Sequence, residues 1–307
     1  MSTILITGGT GLVGTALTKL LVSKGHHVII LSRGEKNIAE QNISYAKWNV
    51  EKQLIDEKAI ANADFIVHLA GAGVADKRWS KSRKQEIVDS RTQSSLLIVK
   101  ALGKYPNKVQ AVISASAIGW YGDDSKLKGK SKSFTEDMLP DRHFLGETCR
   151  LWEESIKPVE GLGKRLVKLR TGIVLSNDGG AFVEFKKPVK FGIAAVLGSG
   201  KQIISWIHIE DLCRMFLYAI ENNSISGAYN AVAPMPVSNE SLTVALAKKL
   251  KGKFYVTAHV PVFVLKMMLG EMSVEVLKSA TVSSEKIRQA GFTFIHPSIE
   301  AALKNLV

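Results

Sequence analysis

Thr7-Gly8-Gly9-Thr10-Gly11-Leu12-Val13-Gly14 is the stretch whose spacing speaks most directly of chemistry. Gly9, Gly11 and Gly14 satisfy G-x-G-x-x-G, and Gly8, Gly11 and Gly14 satisfy the related G-x-x-G-x-x-G. In such a turn one glycine permits the tight bend, one lets backbone approach a pyrophosphate, and one lets helix pack on strand. Backbone N–H groups and the helix dipole then face the phosphates. An apolar run precedes the turn and a helical pattern follows it, the context that separates a dinucleotide site from an ordinary glycine turn. The second apolar run ends Leu31-Ser32-Arg33, with Lys36 behind it and Glu35 beyond the strand end. An acid at that end would hold the 2′-hydroxyl of NAD, whereas arginine suits a 2′-phosphate by charge and geometry. The residues therefore favour NADP(H) over NAD(H), the alternative being that Arg33 is a plain surface arginine.

These residues need strands and helices to position them, and the pattern supplies both. Thr3 to Thr7, His27 to Leu31, Ile43 to Trp48, Phe65 to Ala70, Val109 to Ala115 and Arg165 to Leu175 read as strands. Leu12 to Ser23, Ser80 to Lys104 and Arg142 to Ile156 read as helices between them. Short apolar runs alternating with helices imply a parallel sheet covered on both faces. After Leu175 the rhythm breaks at Gly179-Gly180 and again at Gly198 to Gly200. Ile209 to Glu221 is a helix, Ala228 to Ala231 a short strand, and from Ser238 onward the pattern is mostly short helices. Met267, Met268 and Met272 read as core of that last part. The expected architecture is α/β, a doubly wound parallel sheet of the Rossmann kind with a small, mostly helical C-terminal lobe. The expected division is a dinucleotide domain over 1–235, with 176–204 contributing to the substrate side, and a lobe over 236–307.

Composition narrows the classes. A chain of 307 residues with 46% hydrophobic and 22% charged residues is neither disordered nor fibrous. Two cysteines, Cys149 and Cys213, exclude a disulfide framework and a multi-cysteine metal site. No basic stretch precedes the first apolar run, and Val260 to Leu269 is too short to span a bilayer, so a cytoplasmic protein with no membrane partner is expected. The charge of +13 has its densest runs at Lys77 to Lys84 and Lys126 to Lys132. The second run lacks interleaved aromatics and reads as a solvated loop, so no nucleic-acid partner is expected.

Further segments carry a resemblance. HLAGAGVADKRWS (68–80), SRTQSS (90–95), SASAIGWYG (114–122), LRTGIVLSNDGGA (169–181), LGSGKQIISWIHIEDL (197–212), GAYNAVAP (227–234) and AGFTFIHP (290–297) join the glycine turn. Together the chain resembles the extended short-chain dehydrogenase/reductases, and most closely their atypical, nucleotide-sugar epimerase-like subgroup. The resemblance implies cofactor contacts at Gly8 to Gly14, at Ser32 and Arg33, at Asn49, and at Leu69, Ala70, Gly71 and Ala72. It implies Ser116 as active-site serine, places the loop after Gly71 near the nicotinamide, and sets Gln202 and Trp206 on the substrate wall. It also raises a possible homodimer through helices 80–104 and 142–156.

The family's usual reaction needs Tyr-x-x-x-Lys on one helix face. Here those positions hold Leu145 and Cys149, and no tyrosine in the chain is followed four residues later by lysine. The atypical subgroup lacks the pair too. Tyr121, just past Ser116, is the first replacement candidate, or else a packed aromatic beside Trp120. Glu147 can pair with Arg150, Cys149 reads as a small buried hydrophobe, and Asp211 as a helix-start acid. His208 is either a ligand-facing donor or a structural histidine. Arg78 and Trp79 suit an anionic or planar substrate, or form a packing cluster at a helix start. Arg91 reads as an ion-pair residue within its helix. No metal is expected. The reading is an NADP(H)-dependent oxidoreductase or epimerase-like enzyme on an unidentified small molecule. The alternative is an NADP(H)-binding sensor or partner-binding protein with little or no turnover.

Overall fold

Thr3–Thr7 is β-branched or apolar at every position, and it forms β1 at the middle of the main sheet. The computed structural model describes residues 1–34, 41–127 and 132–307; Glu35 and Lys36, and most of the Lys126 to Lys132 run, lie outside them. α1 (Leu12–Ser23), β2 (His27–Ser32), β3 (Ile43–Asn49), β4 (Leu54–Ile55), α2 (Glu57–Asn62) and β5 (Phe65–His68) follow. Then come α3 (Lys81–Lys104), β6 (Ala111–Ala117), α4 (Phe144–Ile156) and β7 (Arg165–Thr171). A short β8 (Ile173–Leu175) leads to α5 (Ala181–Lys190), β9 (Ile193–Leu197), β10 (Ile203–Ile204) and β11 (Trp206–His208). α6 (Ile209–Glu221) and β12 (Gly227–Ala231) complete the main layer. β13 (Val237–Ser238), α7 (Asn239–Lys251), β14 (Val256–Val260), α8 (Val262–Leu269), α9 (Ser273–Leu277), α10 (Glu285–Gln289) and α11 (Ile299–Leu306) finish the chain.

The main sheet has the order β12-β7-β6-β5-β1-β2-β3-β4, parallel except for β4. Strand alternation sends successive side chains to opposite faces. Ile4, Ile6, Val67, Ile113 and Leu169 meet α1 and α6 through Leu17, Leu21 and Phe216. Leu5, Ile66, Val112 and Leu166 meet α2, α3 and α4 through Ile60, Ile98 and Ile156. Toward the carboxyl ends the second face turns polar, with Thr7, His68, Ser116 and Arg170 all buried.

Two expectations are corrected here. The run Arg165 to Leu175 is not one strand: it breaks at Gly172, and β8 leaves to pair with β11. A Cβ at Gly172 would stand 2.6 Å from the Ser205 carbonyl oxygen, so only glycine lets the crossing pass. The C-terminal part is mostly helical, as its pattern implies, and β14 pairs in parallel with β9, which brings 193–197 against it. Met267 and Met268 are exposed, not core, because α8 buries Leu265 and turns its other side outward. Among the described residues no helix is long and apolar enough to cross a membrane.

Candidate functional site

The glycine turn is a cradle that side chains would fill. A Cβ at Gly14 would stand 2.3 Å from the Gly8 oxygen, and one at Gly9 would stand 2.8 Å from Ile30 of β2. Gly8 has φ of 68° and lies against the Leu69 backbone, where a Cβ would come within 2.9 Å. Thr10 and Gly11 are exposed at the rim. Gly11 caps α1 with no side-chain acceptor, and the first turn of α1, which holds Leu12 and Val13, carries no acid. The amide end of α1 is therefore open to an anion. The loop after β8 lies on this turn, with a Cβ at Gly180 falling 3.3 Å from Leu12. Ser32 ends β2 half-buried, and Arg33 beyond it is exposed and makes no ion pair among the described residues. Asn49 uses its Oδ1 to accept the Lys52 N–H at 2.9 Å, which bends the chain after β3.

The loop from Leu69 to Ser80 is held mainly from α3. Thr7 Oγ1 accepts the Leu69 and Ala70 N–H groups, both at 3.1 Å, so its own proton goes to His68 Nδ1 at 2.8 Å. His68 Nε2 then donates to Ser95 at 3.1 Å, and burial lowers this imidazole's pKa to about 3. Ser90 accepts the Ala72 N–H at 2.9 Å. Arg91 donates to the Ala72 and Ile87 carbonyls at 3.0 and 2.8 Å and lies 4.9 Å over the Trp152 ring, beneath Gly71. The expected helix ion pair of Arg91 is thus replaced by loop carbonyls and an aromatic face, and burial lowers its pKa. Trp79 donates to the Val74 carbonyl at 2.8 Å and meets Phe144 edge-on, which makes it the packing cluster at the start of α3. Arg78 is exposed and reaches Gly270, while Lys84 pairs with Glu271, so this loop abuts the lobe.

Ser116, Arg170 and Asn230 stand in lateral register on β6, β7 and β12. Ser116 Oγ donates to Glu153 Oε1 of α4 at 2.8 Å, and Arg170 donates to both Glu153 oxygens at 2.8 and 3.1 Å. Arg170 also lies 3.7 Å over the Trp120 ring. Burial works against its charge, but the Glu153 carboxylate more than offsets this and raises its pKa. Tyr121 is wholly buried; it donates to Asn230 at 2.7 Å and accepts from Arg170 at 3.0 Å. Burial pushes its pKa up to about 12 despite the neighbouring guanidinium. Of the two readings of Tyr121, the burial fits the packed aromatic, with the phenol stacked on Phe134. Cys149 is buried, its thiol pushed up to about 12 by burial, and Glu147 pairs with Arg150.

Two predicted wall residues are turned inward. Trp206 is wholly buried and donates to the Met235 carbonyl at 3.0 Å, and buried Gln202 donates to the Leu197 carbonyl at 2.9 Å. Both hold backbone in place, which leaves no surface on Trp206 for a substrate. Glu153, Arg170, His68 and the loop-holding Arg83 were not singled out by the sequence. The partners of Glu153, Arg170 and His68 lie on other elements, so no local spacing signals them; Arg83 pairs with Glu86 three residues on, but its bond to the Gly73 carbonyl has no such signal.

His208, Glu210 and His296 place their ligand atoms within 4.8 Å of one another. His208 Nδ1 accepts the Glu210 N–H at 3.1 Å, which leaves the neutral ring's proton on Nε2. Burial lowers the His208 pKa to about 4. Its ring stacks on His296 at 3.8 Å, and His296 bonds Glu210 at 2.9 Å. The trio ties α6 to the C-terminal segment, and His208 Nε2 is buried with no hydrogen-bond partner among the described residues.

Comparison with known proteins extends these observations. Residues 4–143 match the NAD dependent epimerase/dehydratase family, and residues 260–306 match a domain of unknown function, DUF1731. The chain is 35% identical to epimerase family protein YfhF of Bacillus subtilis over 305 residues, 99% of this chain and 97% of the relative. It is 36% identical to epimerase family protein SSP1921 of Staphylococcus saprophyticus, covering 99% of this chain and 98% of that one. Among solved structures it resembles human epimerase family protein SDR39U1 with NADPH, at a TM-score of 0.85 and 27% identity, covering 99% and 98% of the two chains.

Proposed function

The chain belongs to the NAD dependent epimerase/dehydratase family, as an atypical extended short-chain dehydrogenase/reductase, and on that premise we propose that it binds NADP(H) and acts on a small molecule as an oxidoreductase or epimerase-like enzyme. The observation that carries the reading is the side-chain-free cradle at Gly8, Gly9 and Gly14, set against the open amide end of α1. It fits a pyrophosphate, and exposed Arg33 at the end of β2 fits a 2′-phosphate. The human relative with NADPH supports the same choice.

When bound, the nicotinamide supplies hydride transfer. The chain's own residues set the place for it. The Leu69 to Ala72 backbone, fixed by Thr7, Ser90 and Arg91, forms the floor beside the cradle. Ser116 holds the substrate oxygen; its proton rests on Glu153 and must turn outward to polarise that oxygen. Glu153 and Arg170 position Ser116. Arg78, exposed beside the lobe, takes the anionic end of a substrate.

Titrating NADPH and NADH fluorescence on wild type and Arg33→Ala tests the cofactor. We expect NADPH preference in the wild type and its loss in the variant. Binding of neither nucleotide would sink the reading. A second reading, a nucleotide sensor with little turnover, is favoured by the committed protons of Ser116 and Tyr121 and by Leu145 and Cys149 at the dyad positions. NADPH oxidation by any member of a carbonyl panel, lost in Ser116→Ala, would decide for the enzyme. A change of shape without oxidation would decide for the sensor.

A further inference from the structure

Away from the nucleotide cleft, β9 and β14 pair in parallel with Ile193 opposite Val256. Each strand is entered straight from a helix. Phe191 N–H donates to the Pro188 oxygen at the end of α5, and Phe254 N–H to the Lys251 oxygen at the end of α7, both at 3.0 Å. Gly192 and Gly252, with φ of 77° and 61°, make the two turns, and the Val256 N–H donates to the Gly192 oxygen at 2.9 Å. The turns therefore lie side by side. At this tip Phe191 is 84% and Phe254 is 87% exposed, the two most exposed phenylalanines among the described residues. Ile193 and Val256 continue the apolar surface, and β14 is exposed along nearly its whole length. α8, which follows β14 directly, adds exposed Phe263 and Met267.

The charge around this surface has one sign. No Asp or Glu stands between Glu184 and Glu210, or between Glu240 and Glu271, while these two stretches hold four and five lysines. Lys190 ends α5, Lys249 and Lys251 end α7, and Lys253 lies in the turn beside Phe254, while Lys187 is paired with Glu184 on the preceding turn of α5. Helix carboxyl ends attract lysine through the dipole, but the dipole gives no reason for exposed aromatic rings. A second copy of the chain would bring its own lysines against these. A nucleic acid would meet the lysines and leave Ile193 and Val256 in water. An anionic bilayer satisfies both features: headgroup phosphates meet the ammonium groups while the rings enter the acyl boundary.

We propose that the Phe191/Phe254 tip of the β9–β14 pair docks the protein peripherally on an anionic lipid surface. The test is co-sedimentation with vesicles of phosphatidylcholine alone and of phosphatidylcholine with phosphatidylglycerol in equal parts. The wild type should sediment only with the anionic vesicles, and less so as salt shortens the screening length. Phe191→Ser with Phe254→Ser should lower partitioning about tenfold or more. Lys190→Glu with Lys251→Glu and Lys253→Glu should abolish it. All these positions except Lys251 are exposed, so both variants should keep the wild-type unfolding transition. Wild-type protein left in the supernatant, equal binding to neutral vesicles, or full binding by the phenylalanine variant would overturn the proposal. So would a lipid-free dimer that the phenylalanine variant dissolves, which would assign the face to a second copy.

Discussion

His68 shows how one side chain serves both stability and site geometry. Its two ring nitrogens are spent on Thr7 and Ser95, and that pairing lets Thr7 fix the Leu69 and Ala70 amides. Its folded pKa of about 3 lies below the ordinary 6.5. As pH falls through 6.5 the unfolded chain takes up a proton and the folded chain does not, so stability is full above that pH and drains away toward pH 3. Between about pH 7 and about pH 5 the loss should be about 2 kcal/mol. Denaturant unfolding at the two pH values checks it: His68→Gln should shrink the pH difference by about that amount, while His208, also lowered by burial, keeps a loss of its own over the same range. A second residue-scale outcome concerns Glu153. Its removal leaves Arg170 buried without a carboxylate, so Glu153→Ala should destabilise by about 3 kcal/mol or more. Equal unfolding midpoints for the two proteins would refute that.

At the scale of elements, the turn between β1 and α1 is the least forgiving joint. Gly14→Ala puts a methyl against the Gly8 oxygen and the Gly9 backbone, neither of which can rotate away. Nucleotide affinity should fall at least tenfold, with a lowered melting temperature; unchanged titration would remove this turn from the site. The same joint was readable in advance because every cause is local: a β-branched run, glycines, then helical periodicity. α3 and α6 were readable for the same reason. α5 was not, since Pro188 sits inside its last turn and reads as a breaker. β9 was hidden because Ile193–Leu197 is apolar throughout and shows no alternation; β14 does alternate over Val256–Val260, but it is exposed and its partner β9 lies far off in sequence, so nothing local marks the pair. The Ser116, Glu153 and Arg170 network escaped because its bonds span three separate elements. Gln202 and Trp206 were set on the substrate wall by resemblance, but the side each faces depends on how β10 pairs with β13 and β11 with β8.

Across the whole molecule, the C-terminal segment is stitched to the middle of the chain. Buried Asp211 accepts the Ile295 and His296 N–H groups at 2.9 and 2.8 Å and pairs with Arg214 at 2.8 Å. Asn177 donates to the Leu306 oxygen at 2.9 Å, and α11 packs its apolar side with α7. Asp211→Ala strands those two amides, and should cost about 2 kcal/mol or more in unfolding free energy while loosening 290–307 first. Hydrogen exchange confined to that segment would show it; uniform exchange across the chain would not fit.

These stitches run against the direction of protein synthesis. The ribosome delivers Asp211 long before the two amides it waits for, and Asn177 earlier still. The central strands can pair as they emerge, β8 can pair with β11 and β9 with β14, yet Asn177 and Asp211 wait for the segment 295–306. The main sheet can therefore be finished at β12 before the flank that these stitches seal.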